Sequence, residues 1–246
     1  MIKEIEGIVV SEVDYKESSK IINVLTKEYG IIGLIARGTK QVKSKLSGVT
    51  SKLTYGFFHV KYRENGLSNL LEVDVINSFK NIRKSIDLTS YALYLLELAD
   101  KVYHSDSNGM IYDELIASLL KIDEGYDYQV ITDIFELKML DYLGIRPVID
   151  ECVGCGNKND IVTISSYRGG YLCRNCLEGE TICDIRTIKL LRMFFYVDIA
   201  KISKLEVSKE VKAELSNFIM DYYDRYTGLY LKSREFLKNL EKISNN

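Results

Sequence analysis

Apolar and polar side chains fall into short alternating runs over the first eighty residues, and beyond residue 87 apolar positions recur at spacings of three and four. The first pattern has the period of a strand and the second that of a helix face. The runs Ile5–Val13, Lys20–Tyr29, Ile31–Ala36, Leu53–Tyr62 and Leu67–Ile76 predict five strands. Tyr29-Gly30 turns the second run into the third, and Glu64-Asn65-Gly66 sets an Asn-Gly turn between the fourth and fifth. Five short strands with a break after the third suit a small barrel. The OB-fold is the common five-stranded barrel that binds nucleic acid, and an SH3-like barrel has a similar strand count. In the fourth run Phe57 and His59 share one face and Phe58 and Val60 the other; period two alone does not say which is buried.

Leu88, Tyr91, Leu95, Leu98, Ala99 and Val102 predict an amphipathic helix over 87–104, with Asp87 as its N-cap. Ile111, Leu115, Leu119 and Leu120 predict a second over 110–122. A third is expected over 127–143, capped by Asp127 and stopped by Gly144, before Pro147 bars continuation. Ile188, Leu191, Phe194, Phe195 and Ile199 mark a helix over 186–200. Ser208 caps a further helix through Val211, Leu215, Phe218, Ile219 and Tyr222, which ends at Gly228 ahead of a short closing helix. The expected fold class is α+β multidomain: a barrel domain over 1–80, a helical domain in two parts over 81–149 and 181–246, and an inserted module over 150–180.

That module carries Cys152-Val-Gly-Cys155 and, after seventeen intervening residues, Cys173-Arg-Asn-Cys176. Two such knuckles can deliver four thiolates to one tetrahedral Zn²⁺, and four thiolates leave no open position for a reacting water, so such a site is structural. Gly154 and Gly156 bracket the second thiol where the chain must turn, and Gly169-Gly170 turns the connecting hairpin. Two disulfides or two redox-active pairs would use the same spacing. No signal peptide precedes Met1-Ile-Lys-Glu, which points to the cytoplasm, where disulfides rarely persist. A thioredoxin-like pair would need a strand-helix-strand setting that this polar, turn-rich segment lacks. A zinc ribbon with Cys152, Cys155, Cys173 and Cys176 as ligands is therefore expected, with Cys183 as a small buried apolar residue.

Net charge is −2, but it is unevenly spread: residues 1–80 hold twelve Lys/Arg against nine Asp/Glu, and the remainder 21 against 26. Arg37, Lys40, Lys43, Lys45, Lys52, Lys61 and Arg63 stand in one stretch without an acidic residue among them. Clustered cations of this kind bind phosphates with counterion release, irrespective of base sequence. Tyr29, Tyr55, Phe57, Phe58 and Tyr62 are interleaved with them, and bases can stack on those that face outward. The plainer reading is a solvated loop beside barrel core. With 46% apolar residues the chain has ample core, and no apolar run reaches the length of a membrane span. His59 and His104 belong to no triad or metal motif, and neither a phosphate-binding Gly-Lys loop nor a dinucleotide fingerprint is present. A binding protein is expected, not an enzyme.

Gly7–Ile22, Thr26–Gly30, Gly33–Gly38 and Lys43–Gly48 resemble the N-terminal domain of the RecO family of bacterial DNA repair proteins. Tyr91–Leu98, Phe135–Leu140 with Leu143-Gly144, the cysteine quartet and Leu231–Phe236 resemble the same family, in its order and across the whole chain. The resemblance implies a recombination mediator with an N-terminal OB-fold and a helical C-terminal domain carrying zinc. Such proteins bind single- and double-stranded DNA and anneal complementary strands. With RecR they help load RecA onto DNA coated by single-strand binding protein (SSB). Some members lack the cysteines, which are all kept here; many carry a more basic loop where this chain has Thr39–Lys45. The resemblance also implies that the acidic, apolar-ended SSB tail docks among the helices, near 127–143 and Lys189 or Arg192, and that the protein is cytoplasmic and nucleoid-associated. An RNA-binding or ribosome-associated module is the rival class, since barrels and ribbons occur there too. An adaptor whose barrel binds only protein is a third.

Overall fold

The computed structural model describes residues 1–41, 44–103, 109–203 and 205–237. Five strands form a closed barrel: β1 (Ile2–Tyr15), β2 (Ser19–Thr26), β3 (Gly30–Ala36), β4 (Tyr55–Lys61) and β5 (Ser68–Asn77). The order around the barrel is β1-β2-β3-β5-β4. Antiparallel pairs join all neighbours except β3 and β5, which run parallel at Leu34–Ser68 and Ile35–Asn69. This closure is that of an OB-fold and sets aside the SH3-like alternative. Alternate residues Ile22 and Val24, Leu34 and Ala36, and Phe58 and Val60 fill the interior with Ile5, Val9 and Leu70. Phe58 and Val60 thus form the buried face of the fourth run, and Phe57 and His59 the outer one.

β1 departs from strict alternation, because Ile8, Val9 and Val10 are all buried. Its register against β2 shifts between Val9 and Ser11, and a bulge of this kind turns consecutive side chains inward. The strand also extends at both ends beyond the apolar run that announced it.

Two compact units account for the chain. The first comprises Met1–Glu124 together with the segment from Leu231, and the second Gly125–Tyr230. In the first unit the barrel is followed by α1 (Ile86–Val102) and α2 (Met110–Asp123). Ser85, not Asp87, caps α1: its side chain accepts from the Leu88 amide, while Asp87 sits in the first turn. His104 lies outside the described residues. The Asp123 carboxylate at the end of α2 accepts from the Asn81 and Ile82 amides, each at 2.9 Å. A helical turn over 232–237 belongs to this unit, and the Lys232 and Ser233 amides donate to Glu97 of α1.

The second unit is built on α3 (Tyr128–Tyr142), α4 (Ile185–Tyr196) and α5 (Lys209–Tyr226), with a two-stranded hairpin of β6 (Ile161–Ser165) and β7 (Gly170–Cys173). Asp127 caps α3 by accepting from the Gln129 and Val130 amides, and Gly144 takes a left-handed conformation just past its end. α4 stops at Tyr196, four residues short of the expected end. Val197 adopts extended backbone, and a separate 3₁₀ turn over Ile199–Lys201 carries Ile199 into the core. Ser208 precedes α5 but makes no capping hydrogen bond to its backbone. Among the described residues no helix is long and apolar enough to cross a membrane.

Candidate functional site

Three features carry chemistry: the barrel's outer surface, the cysteine cluster and a groove beside α4. On the barrel, Arg37 follows β3, Lys52 precedes β4, Lys61 ends β4 and Arg63 lies in the turn to β5. Arg37, Lys40, Lys45, Lys52, Lys61 and Arg63 are exposed; Lys43 lies outside the described residues. The stretch is not confined to one end of a strand. Lys52 and Lys61 bracket β4, whose seven residues span roughly 20 Å at about 3.3 Å per residue.

Nor are the cations equivalent. Lys40 Nζ lies 2.9 Å from Asp14 Oδ2 on β1. Lys52 makes no ion pair among the described residues. Burial raises the Asp100 carboxyl of α1, the Lys52 charge works against that rise and also favours ionised Glu97, and the Lys52 carbonyl accepts from Arg83 Nη2 at 3.1 Å. Arg37, Lys45, Lys61 and Arg63 have no ion-pair partner among the described residues. Of the aromatics, Phe58 and Tyr55 are buried and offer no surface to a base. Phe57 faces outward, and Tyr29 and Tyr62 are half-buried at the barrel's edge with ring centroids 5.2 Å apart. Lys3 Nζ lies 4.5 Å and 4.2 Å from those two centroids.

His59 is held between carboxylates on the outer face, with Nε2 2.7 Å from Asp74 Oδ2 and 3.7 Å from Glu4 Oε2. The Asp74 hydrogen bond raises the imidazole above its ordinary pKa. This is a cross-strand hydrogen bond that becomes an ion pair when the imidazole is protonated.

The four sulfurs of Cys152, Cys155, Cys173 and Cys176 lie within 4.8 Å of one another. Cys155 Sγ and Cys173 Sγ are 3.7 Å apart. A disulfide would bring bonded sulfurs to about 2.05 Å, so the paired-disulfide reading is set aside. A tetrahedral ion with bonds of about 2.3 Å places its sulfurs ~3.8 Å apart, and the cluster fits that edge. The knuckle closes through Cys152 N–H to the Asn157 carbonyl and Gly156 N–H to the Cys152 carbonyl, each at 2.8 Å. Gly156 takes φ of +74°, which a side chain would oppose.

The thiols crowd one another. Burial, with the neighbouring Cys155 sulfur, pushes Cys173 up, and the Cys155 and Cys152 sulfurs push Cys176 up. Burial also opposes ionisation of Cys152, but amides of Cys173, Gly154 and Cys155 outweigh it and lower its pKa. Four thiolates at this spacing need a cation between them, and the group can hold one metal ion. Cys183 stands apart, half-buried, its thiol near the Val162 carbonyl and pushed up chiefly by burial.

β7 links the cluster, through Cys173, to α4. A Cβ on Gly170 would come within 2.1 Å of the Val148 carbonyl oxygen, so only glycine lets the two backbones pair. The Tyr171 hydroxyl donates to the Ile188 carbonyl of α4. The outer face of α4 lines a groove of about 510 Å³ with Lys189, Arg192, Met193, Tyr196 and Val197. Asp150 lies between Arg146 and Arg192, accepting from Arg146 Nη2 and Arg192 Nε at 3.0 Å each and from the Tyr196 hydroxyl at 2.8 Å. The Tyr196 hydroxyl and the two guanidinium groups lower its carboxyl pKa. The sequence reading named Lys189 and Arg192 but missed Met193, Tyr196, Asp150 and Tyr171. The exposed Met-x-x-Tyr end of the α4 stripe was the available signal for the first two; the partners of Asp150 are set only by the tertiary fold.

Residues 1–79 match the family described as Recombination protein O N terminal, and residues 83–235 match Recombination protein O C terminal. The DNA repair protein RecO of Listeria monocytogenes is 40% identical over 244 residues, covering 98% of this chain and 95% of that protein. That of Halalkalibacterium halodurans is 38% identical over 248 residues, 99% and 97% of the two chains. That of Bacillus pumilus is 36% identical over 247 residues, 99% and 96%. With both domains matched in order along nearly its full length, the chain belongs to the RecO family of DNA repair proteins.

Proposed function

We propose that this chain is a recombination mediator that binds single- and double-stranded DNA through its barrel and anneals complementary strands. With RecR, in this reading, it helps load RecA onto single strands coated by SSB. The observation that carries the DNA-binding part is a set of exposed cations, Arg37, Lys45, Lys61 and Arg63, on a five-stranded barrel and without acidic partners among the described residues. Their side chains reduce phosphate repulsion, so that two strands can lie close enough to pair. Phe57 and the Tyr29–Tyr62 pair add stacking faces for splayed bases. Lys40, Lys43 and Lys52 complete the proposed phosphate set, with Lys40 and Lys52 weakened by their acidic neighbours.

The metal is proposed to be one structural Zn²⁺, held by Cys152, Cys155, Cys173 and Cys176. All-thiolate tetrahedral sites favour zinc, and no ligand position is left for chemistry. The groove on α4 is proposed to take the acidic, apolar-ended tail of SSB. Lys189 and Arg192 offer charge to its carboxylates, and Met193, Tyr196 and Val197 offer an apolar floor to its last side chain.

Fluorescence annealing of complementary oligonucleotides tests the reading. Annealing by the zinc-loaded protein should survive SSB coating and be abolished by K40E, K43E and K45E together with R63E. Undiminished annealing by that variant rejects the assigned surface, and stronger binding to structured RNA than to single-stranded DNA would favour an RNA-binding module.

A further inference from the structure

The acidic residue beside the α4 groove has the wrong sign for a groove that takes acidic peptides, and its surroundings explain why it is there. Asp150 stands two residues before Cys152, in a segment fastened to β7 on both sides of it. Val148 N–H donates to the Gly169 carbonyl at 2.9 Å, Tyr171 N–H to the Val148 carbonyl at 2.8 Å, and Val153 N–H to the Tyr171 carbonyl at 2.8 Å. Cys152 lies in this segment and Cys173 closes β7, so two of the four sulfurs lie on the segment that carries Asp150 and on the strand it is fastened to. From that anchored position the carboxylate reaches outward to Arg146, Arg192 and Tyr196 at once. It engages Arg192 through Nε and leaves both terminal NH₂ groups for a ligand, while the Arg146 guanidinium lies 4.3 Å from the Phe195 ring centroid.

We infer that Asp150 is a positioning residue that couples the metal-bound knuckle to the α4 groove, fixing Arg192 and Tyr196 in the arrangement an acidic peptide meets. The inference rests on the docking reading of the groove and adds its control by the metal centre. A loose Arg192 would have to be ordered at the moment of binding, and preorganisation removes that cost. A metal held by the four sulfurs would thereby act at a distance, since the 148–153 segment it would fix holds Asp150, which holds the groove's cation and its aromatic wall.

The sign of one mutation separates this from simple charge addition. Removing a negative charge beside a cationic groove should tighten an acidic ligand if electrostatics alone operate; removing a positioning group should weaken it. The probe is a short fluorescein-labelled peptide of aspartates ending in phenylalanine with a free α-carboxylate, titrated by anisotropy with the zinc-loaded full chain. D150A should weaken binding about tenfold, the scale of one charge-assisted hydrogen bond, and D150N, which keeps the shape and one acceptor, should lie between. Chelating the metal should weaken the wild type by a similar factor and add little to D150A. Far-UV circular dichroism checks that each sample stays folded, and if chelation unfolds the chain the two zinc-loaded variants decide. Unchanged or tighter binding by D150A overturns the inference, as does full additivity of mutation and chelation. R192E keeps the two readings apart: if the wild type ignores the peptide, or R192E binds it equally well, the docking reading itself has failed.

Discussion

Tyr112 of α2 donates its hydroxyl to the Glu6 carboxylate of β1 at 2.9 Å, bridging 106 residues of chain within the first unit. Tyr55 of β4 donates to the same Oε1 at 2.5 Å, and Lys27, in the β2–β3 turn, pairs with Asp113 at 2.9 Å. The barrel and the helices that follow it are therefore joined by a half-buried polar link and an exposed ion pair as well as by packing. The two phenols are raised above their ordinary pKa, chiefly by burial, Tyr55 to about 12. A raised folded-state pKa means stability that is complete below pH 10 and is lost as pH climbs through the folded value. E6Q should cost about 1–2 kcal/mol in a urea melt at neutral pH. The wild type should also lose stability between pH 10 and 12, with a shallower loss in Y55F. A flat alkaline profile would remove the link.

His59 provides a second pH signature. Its pKa is raised by the Asp74 hydrogen bond, then by the charges of Asp74, Glu4 and Glu72. Its contribution to stability is present below the unfolded value near 6.5 and fades as pH rises through the folded one. NMR titration of the imidazole should give a midpoint above that of a free histidine, returning toward it in D74N. An unshifted midpoint in the wild type would mean that the pair is not formed in solution.

The cysteine cluster predicts one zinc per chain, released by thiol-modifying reagent with all four cysteines reacting together. Cobalt substitution should give the ligand-field bands of a tetrahedral thiolate site, and C173S should lose the metal and unfold the β6–β7 hairpin. Octahedral bands would sink the ribbon geometry.

How far the sequence reached depends on the range of the forces involved. Period-two alternation exposed the barrel strands because each alternate side chain meets one common interior, and two Cys-x-x-Cys knuckles exposed the metal site because the ligands are covalently close. The cap at Asp127 was readable and the cap of α1 was not, because Ser85, two residues before the expected Asp87, accepts from the Leu88 amide instead. The end of α4 was missed because Ile199 keeps the apolar period across a backbone break at Val197. Along the basic stretch, sequence adjacency suggested a single surface. The length of β4 separates Lys61 from Lys52, and the long-range neighbours Asp14, Glu97 and Asp100 offset the charges of Lys40 and Lys52.

That inequality is measurable. R63E should weaken single-strand binding several-fold, because it removes an exposed cation and places a like charge near the phosphates. K52E should have a smaller effect, because the charges of Glu97 and Asp100 already offset part of that of Lys52. Anisotropy with a short oligonucleotide gives both values; equal losses would show that the block acts as one patch.

The most direct measurement is the salt dependence of single-stranded DNA affinity for the zinc-loaded chain. Four phosphate contacts through Arg37, Lys45, Lys61 and Arg63 predict a log–log slope of about −2.8, at roughly −0.7 per contact, falling by about 0.7 with each charge removed. A folded, metal-loaded protein that ignores DNA at low ionic strength, or binds it with no salt dependence, would contradict the account.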